Sequence, residues 1–470
     1  MVFSSMTFLF VFLPVVIGIY YFVPQRGKNL VLALSGTLFY AWGEPFYVLI
    51  MLLTIGIDYG AGLLMERFSK NKKARLAVLI ASVVLNLSFL AVFKYGSFIV
   101  QNINGLFGTQ IFDPQLPLPI GISFYTFQAM SYTIDLYRRQ IRVQRNIINF
   151  TAYVTLFPQL IAGPIVRYSE VEGEINERRL TSDFMADGIA IFIRGLAKKV
   201  LLANSIGMVW TAVKGMEYSS LPMMTAWVGI LAFAFQIYYD FSGYSDMAVG
   251  LGKMLGFHFP QNFDHPYQSK SISEFWRRWH MTLTSWFKSY VYFPLGGNRK
   301  GNLRTIRNLA VVWFLTGLWH GASWNFVLWG LYFGALIILE KFVWGKALQK
   351  LPGFVQWLYA FVLVVLGWVM FEMKTNSLAA MGGYFAALFG LNGASLATGG
   401  SLYLLLSNLL LFAACAVGAT TLPRQILGKI KEKSAAFARG GLIVSELILF
   451  LLCICYLVTS TYNPFLYFNF

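Results

Sequence analysis

Long apolar runs recur along the chain from Phe8 to Val458, and this recurrence limits the fold more than any other feature of the sequence. Hydrophobic residues make up 57% of the chain and charged residues 12%, whereas a soluble domain carries about 25% charged residues. Because a helix that crosses a bilayer needs about 20 apolar residues, the sequence predicts an all-α polytopic membrane protein with about 12 transmembrane helices. The expected spans are residues 5–23, 30–43, 46–65, 76–100, 118–137, 184–209, 223–250, two within 306–340, 354–373, 402–422 and 440–461.

Basic residues concentrate in a few stretches between these runs and give the chain a net charge of +17. The basic stretches are 26–28, 66–75, 138–145, 253–307, 341–350 and 424–439. Since Lys and Arg are enriched in cytoplasmic loops, we expect these stretches in the cytoplasm, facing membrane lipids rather than nucleic acid. Residues 101–117 and 392–401 contain neither Lys nor Arg, which predicts that they lie outside. The alternation of spans then places both termini outside, and residues 5–23 are expected to remain as the first span.

Three apolar stretches fit poorly as full crossings. Residues 147–166 contain Pro158 and Pro164, residues 271–297 mix aromatic and basic side chains, and residues 378–391 are short for a span. The first two are expected to be re-entrant or half-buried on the cytoplasmic side, and the third to lie along the outer face. Irregular backbone survives at membrane depth only where protein or a water-filled cavity surrounds it. The sequence therefore predicts a central cavity.

His320 is one of four histidines and lies in TGLWHGASWNFVLWGLYFG, residues 316–334. Basic stretches flank both sides of 306–340, so the segment is expected to enter the membrane and return, with a break between Gly317 and Gly321. An imidazole at that depth is suited to proton transfer, although it could also form a hydrogen bond to a neighbouring helix. Ser323 is expected one helical turn from His320, as a coincidental neighbour.

His280 follows Arg277 and Arg278 in SEFWRRWHMTLTSWFKSYVYFPLGGNR, residues 273–299. Alternating aromatic and basic residues suit a membrane interface, and they equally suit a phosphate-bearing ligand beside a flat ring. Both interpretations stay open for this segment, and a structural role for His280 stays open with them.

Buried carboxylates form a further group of candidates. Asp240 and Asp246 lie in QIYYDFSGYSDMAVG, residues 236–250, where they are expected to cap broken helix ends or to orient an imidazole. Asp58, Asp135 and Glu340 are expected to pair with nearby Arg or Lys. No metal site is predicted, because His258 and His265 lack zinc-site spacing. The three cysteines are expected to be packing residues; they are Cys415, Cys453 and Cys455.

Four strings occur in order and carry a resemblance: DFSGYSDMAVGLGKMLGF, NFDHPYQSKSISEFWRRWH, YVYFPLGGNR and TGLWHGASWNFVLWGLYFG. Together they resemble the membrane-bound O-acyltransferase (MBOAT) family, and within it the bacterial alginate and peptidoglycan O-acetylation proteins. The opening MVFSSMTFLFVFLP and the closing NPFLYFNF are also typical of that branch. The resemblance therefore covers residues 1–470 as one integral-membrane acyltransferase domain, with the main motifs in 263–340.

The resemblance implies transfer of an acetyl group from a cytoplasmic thioester, such as acetyl-coenzyme A, to an extracytoplasmic polysaccharide or to a secreted SGNH-type partner. It implies no bound cofactor, and a location in the bacterial inner membrane. The family's histidine matches His320 as general base, and its second polar position matches His280, a second catalytic candidate. His280 either acts on the same reacting centre as His320 or shapes the donor entrance, and we favour the donor entrance. Candidates of lower rank for donor binding or oxyanion stabilisation are Trp319, Asn325, Arg277, Arg278, Asp240 and Asp246. Ser289 stands where the branch commonly has an acidic residue.

Two alternatives remain at this point. D-alanyl transfer to teichoic acids from a carrier protein is the alternative within the family. A transporter of polysaccharide or of a lipid-linked sugar is the alternative of another class, because broken helices and buried Asp and His also occur in transporters.

Overall fold

The computed structural model describes residues 1–373, 378–460, 462–464 and 466. All regular elements in this part of the chain are helical, and it contains no strand, which confirms the all-α prediction. The residues group into two compact units. The first unit comprises Met1–Phe192 and Tyr244–Pro260, and the second comprises Ile193–Gly243 and Gln261–Phe470. Residue 461 of the last predicted span, and residues 465 and 467–470 of the closing string, lie outside the described residues.

The first unit is built from helices that follow its apolar runs. They are Phe8–Phe12, Leu13–Phe22, Gln25–Gly43, Val48–Arg67, Lys72–Leu90, Ala91–Tyr95, Gly96–Phe107, Ile122–Tyr137, Ile147–Val154, Phe157–Leu160, Tyr168–Asn176 and most of Ser182–Ala197. Local signals set several boundaries. The side chain of Asn71 accepts a hydrogen bond from the amide of Ala74 at one helix start, and Gly108 ends another helix at a φ of +64°, a conformation that glycine adopts without strain.

The second unit surrounds a core of aromatic side chains. Its helices are Lys198–Ala203, Asn204–Lys214, most of Met223–Met254, Pro266–Gln268, Ile272–Arg278, Met281–Phe287, Lys288–Tyr292, Asn302–His320, Trp324–Leu339, Glu340–Trp344, Gly345–Leu348, Gly353–Glu372, Leu378–Leu388, Gly399–Ser407, Leu409–Gly418, Leu422–Lys433 and Ala435–Thr459. Trp279, Trp329 and Trp368 are fully buried, and the rings of Trp279 and Trp368 lie 4.9 Å apart. Such rings bury large apolar areas and hold short helices in place.

Five helices in the described residues are long and apolar enough to cross a membrane, or six if one bent pair counts as a single span. They are Val48–Arg67, Lys72–Phe107, Trp324–Leu348, Gly353–Glu372 and Ala435–Thr459, and the pair is Gly399–Ser407 with Leu409–Gly418, bent by 52°. Each coincides with a predicted span. The other predicted spans also fall on helices, but these are shorter or more polar, so the structure supports several crossings and not a count of 12.

Two expectations about particular residues were wrong. The helix Met223–Met254 continues through Asp240 and Asp246, so neither carboxylate caps a broken end there. Asp58 accepts hydrogen bonds from the side chains of Ser82 at 2.5 Å and Asn86 at 3.0 Å, and no Arg or Lys among the described residues pairs with it.

Candidate active site

His320 lies at the tip of a helical hairpin formed by Asn302–His320 and Trp324–Leu339. The two backbones touch at glycines. A Cβ on Gly317 would lie 2.4 Å from the carbonyl oxygen of Phe326, and a Cβ on Gly330 would lie 2.4 Å from that of Trp313. Any larger residue would separate the helices, because side-chain carbons do not approach backbone oxygen so closely. These glycines therefore fix where His320 sits.

The predicted break after His320 is confirmed. The first helix ends at His320 and Gly321 continues in an extended conformation, with the ring of Phe326 filling the space beside its Cα. Ser323 precedes the second helix, with an extended backbone. It is therefore not one helical turn along from His320, as the sequence suggested, because the helix does not continue to it.

The imidazole of His320 is 3% exposed and is enclosed by aromatic side chains. Its ring centroid lies 4.9 Å from those of Trp319 and Trp329 and 5.2 Å from that of Phe371, in each case close to edge-on. Packing on three sides restricts the ring to a narrow range of orientations. The ring also lines a cavity. It is therefore fixed in orientation and accessible from the cavity.

His280 lines the same cavity from the other motif and is 1% exposed. It has a φ of +44° and precedes the helix Met281–Phe287. The Asn262 side-chain oxygen holds this turn, since it lies 3.1 Å from His280 Nδ1 and accepts from the amide and hydroxyl of Thr282. Because that oxygen can only accept, Nδ1 carries the hydrogen, and the neutral ring keeps its lone pair on Nε2.

The two histidines are linked through one indole. The ring of Trp319 lies 5.9 Å from that of His280 and 4.9 Å from that of His320. The sequence placed His280 nearer the donor entrance and His320 deeper. Both rings line one cavity and are almost fully buried.

The cavity has a volume of about 830 Å³ and is strongly basic. Its lining includes five cationic side chains and two carboxylates, and these are Lys270, Arg277, Lys288, Lys341, Lys346, Glu274 and Glu340. Leu309, Val312, Trp313, Thr316 and His320 contribute one face of a single helix. Cavities of about 300–1,000 Å³ accommodate small organic ligands, and several cations in one such site suit a ligand with phosphate groups.

Glu340 also lines the cavity, and it holds the motif that carries Arg277 and His280. Its carboxylate accepts hydrogen bonds from the amides of Ile272 at 2.6 Å and Ser273 at 2.9 Å and from the Ser273 hydroxyl at 2.7 Å. Amides at a helix start have no partner within the helix, so Glu340 fixes the first turn of Ile272–Arg278. The expectation that Glu340 pairs with Arg or Lys was wrong for the part of the chain that the structure describes.

Arg278 and Asp240 are not part of the cavity lining. Arg278 pairs with Glu274 at 2.8 Å. Asp240 forms a buried ion pair with Lys199 at 2.6 Å, so it satisfies a lysine rather than an imidazole.

Two further candidates differ in their surroundings. Asn325 is fully buried, and within the described residues neither of its polar side-chain atoms has a hydrogen-bond partner. Asp246 is half-buried. It lies on the part of the helix Met223–Met254 that belongs to the first unit.

Sequence reasoning missed Glu340 and Asn262 as parts of this site. Glu340 is 68 residues from Ile272 and Asn262 is 18 residues from His280, and no pattern in the sequence links such partners. A signal did exist for Trp313 and Thr316, because both lie at helical spacing from His320 on the same face.

The chain is helical and apolar, and it holds a basic cavity with two buried histidines. Comparison of its sequence with protein-family models gives the same kind of protein. A family model described as MBOAT, membrane-bound O-acyltransferase family, matches residues 83–380. This match covers more than half of the chain, so the protein belongs to the MBOAT family. It is a membrane O-acyltransferase.

Curated relatives narrow the comparison. The chain is 41% identical over 393 residues to the probable alginate O-acetylase AlgI of Azotobacter vinelandii, covering 83% of this chain and 78% of the relative. It is 35% identical over 433 residues to the peptidoglycan O-acetyltransferase of Helicobacter pylori, covering 84% and 81%. The teichoic acid D-alanyltransferase of Bacillus subtilis is 27% identical over 252 residues, covering 50% and 62%.

Glu340→Ala should raise the KM for the acyl donor about fivefold while changing kcat much less, because loss of one helix cap costs about 1 kcal/mol and releases the segment that carries Arg277. Donor-concentration series with purified enzyme measure both constants. Glu340→Gln keeps one acceptor and should recover part of the loss. Tyr359→Phe removes the 3.3 Å hydroxyl contact to Glu340 and the hydrogen bond that Trp344 Nε1 donates to the same hydroxyl, but it keeps the bonds from Glu340 to the helix start, so KM and kcat should stay nearly unchanged. Lower thermal stability with unchanged KM and kcat would show that Glu340 is purely structural.

Proposed function

We propose that this protein transfers an acetyl group from a cytoplasmic thioester donor to an extracytoplasmic cell-surface polysaccharide, or to a secreted SGNH-type partner that acts on one. One observation carries the proposal: a single cavity is lined by His280, by His320 and by five cationic side chains. Polar catalytic groups beside a concentration of positive charge suit an acyl carrier that bears phosphates.

Acetyl-coenzyme A is the donor that this charge favours. The phosphates of the donor would lie among Lys270, Lys341 and Lys346. Arg277 would bind one phosphate through two parallel hydrogen bonds, in bidentate geometry. The thioester would extend past Trp313 and Thr316 toward His320, along the helix face that lines the cavity. No group beyond the donor needs to be bound for this chemistry.

The reaction is a nucleophilic acyl substitution. His320 removes the proton of the acceptor hydroxyl as its oxygen attacks the thioester carbonyl carbon. The carbon–sulfur bond then breaks, and the leaving thiolate takes the proton from the imidazolium. The oxyanion between these steps needs donors, and Trp319 Nε1 and Asn325 Nδ2 are our candidates, since Asn325 is buried without a partner in the described part of the chain.

The proposed topology follows the basic stretches. It has about 12 crossings of the bacterial inner membrane, with half-buried elements around a central cavity and both termini outside. The five cationic side chains of the cavity lie in stretches assigned to the cytoplasm by their charge. The donor would then enter from the cytoplasm and the acceptor from the opposite side.

A second candidate is D-alanyl transfer to teichoic acid, which the similarity to a teichoic acid D-alanyltransferase supports. That similarity covers half of the chain, whereas the O-acetylation relatives cover more than four fifths. Acetyl transfer is therefore the better-supported function. A transporter lacks comparable support, because no relative given above is named as one.

His320→Ala should reduce acetyl transfer about 10²–10⁴-fold, since the general base is lost while the fold is kept. The rate of transfer is measured in membranes as labelled acetyl groups moved from acetyl-coenzyme A to polysaccharide. His258→Ala is the matched control, because His258 is an exposed histidine outside the cavity lining. A His320→Ala enzyme with more than about a tenth of normal turnover would contradict the assignment of the base.

His280→Ala should lower kcat nearly as far as His320→Ala, and the double variant should be little worse than either, because groups that act as a unit are not additive. Single-turnover rates at saturating donor measure this. Asn262→Ala frees the ring of His280 without removing it, and should have an intermediate effect. A raised donor KM with normal kcat would instead support the donor-entrance role that the sequence suggested.

A further inference from the structure

The first unit contains a second pocket, of about 400 Å³, which the acyl transfer described above does not use. It lies where the candidate span Val48–Arg67 ends and the candidate span Lys72–Phe107 begins. The end of Ile122–Tyr137 and the following loop complete it. Its lining residues are Met65, Glu66, Ser69, Arg75, Leu136, Arg139, Ile141, Arg142, Val143 and Arg145. The pocket thus sits at the ends of two membrane-crossing helices, where lipid headgroups lie.

The pocket is strongly positive. Four arginines line it, together with one carboxylate, that of Glu66. Arg145 donates two hydrogen bonds to Glu66, at 2.8 and 3.2 Å, so these two charges largely compensate each other. Arg75, Arg139 and Arg142 remain as uncompensated positive charge in the lining.

These three arginines are held to different degrees. Arg75 is buried and donates to the carbonyl oxygens of Leu136 at 3.0 Å and Tyr137 at 2.8 Å. Arg139 donates to the carbonyl oxygen of Ser69 at 3.3 Å. Arg75 and Arg139 therefore also close the gap between helix ends. The Arg142 guanidinium forms no hydrogen bond or ion pair within the described residues, and its backbone amide is the group bound to Glu172.

The pocket has an apolar side as well. Met65, Leu136, Ile141 and Val143 line it beside the arginines. A soluble anion would bind through the arginines alone and would not need the apolar side. A ligand that joins a phosphate to glycerol and acyl carbons would use both parts of the lining, and guanidinium groups bind phosphate oxygens in pairs.

We propose that this pocket binds the phosphate headgroup of an anionic phospholipid. The lipid phosphate lies against Arg139 and Arg142, with Arg75 behind it, and the start of the acyl chains contacts the apolar side. Basic pockets between membrane helices at the cytoplasmic surface are suited to such headgroups. The bound lipid would brace the loop 138–145 against the ends of the two spans.

The test compares phosphatidylglycerol with phosphatidylcholine on the full-length protein in neutral detergent, with bound lipid counted by native mass spectrometry. Arg139→Gln/Arg142→Gln should weaken phosphatidylglycerol binding about 30-fold, because each Lys or Arg near a membrane surface contributes about 1 kcal/mol toward anionic lipid and two are removed. The matched control is Lys72→Gln/Lys73→Gln. It removes the same charge from the adjoining exposed start of the helix Lys72–Leu90, and neither lysine lines the pocket.

The expected result is selective loss in the arginine variant, with the lysine variant binding as the unmodified protein does. Equal loss in both variants would overturn the proposal, since attraction would then follow net charge and not the pocket. Inorganic phosphate in excess forms a second arm. If it displaces phosphatidylglycerol and raises thermal stability as much, the site takes a soluble phosphate and the lipid assignment is wrong. Arg142→Gln alone breaks no described contact, so it repeats the test should the double variant fold poorly.

Discussion

The contact between Gly317 and Gly330 is the constraint on which the rest of the site depends. The hairpin brings each glycine against a backbone carbonyl at a distance that leaves no room for a Cβ. Close backbone approach at small residues is a common way for helices to associate in membranes, where the hydrophobic effect does not drive them together. Here it sets the depth and orientation of His320. Trp329, one residue before Gly330, then packs against that imidazole.

A second constraint determines what faces His320. The short helices that carry Arg277 and His280 are too brief to be stable by themselves. Glu340 fixes the first of them at its amino end, and Asn262 holds the turn between them. Glu340 directly follows the helix Trp324–Leu339, so the hairpin that positions His320 also positions the opposing motif. Two elements therefore define the cavity: the hairpin that carries His320, and the short helices that carry Arg277 and His280. Glu340 links them.

The sequence predicted those parts of the structure that are local. The helical class, most helix positions and the break at Gly321 follow from apolar run length and from glycine, because these act within a few residues. His320 could be singled out because an imidazole inside a long apolar segment is costly without a use. The sequence did not predict contacts between residues that are far apart along the chain. Lys199 for Asp240, Ser82 for Asp58 and the Ile272 amide for Glu340 were all missed, since each pair forms only when separate helices pack together.

The most direct test of the account asks on which side of the membrane the donor is used. Inverted and right-side-out membrane vesicles would receive membrane-impermeant acetyl-coenzyme A with a labelled acetyl group, and the label on polysaccharide would be counted. A cavity that opens to the cytoplasm should allow transfer only in inverted vesicles, where the added donor meets the cytoplasmic face, and His320→Ala should abolish that transfer. Equal transfer in both orientations, or transfer only in right-side-out vesicles, would contradict a basic cavity that opens to the cytoplasm and passes acetyl groups outward.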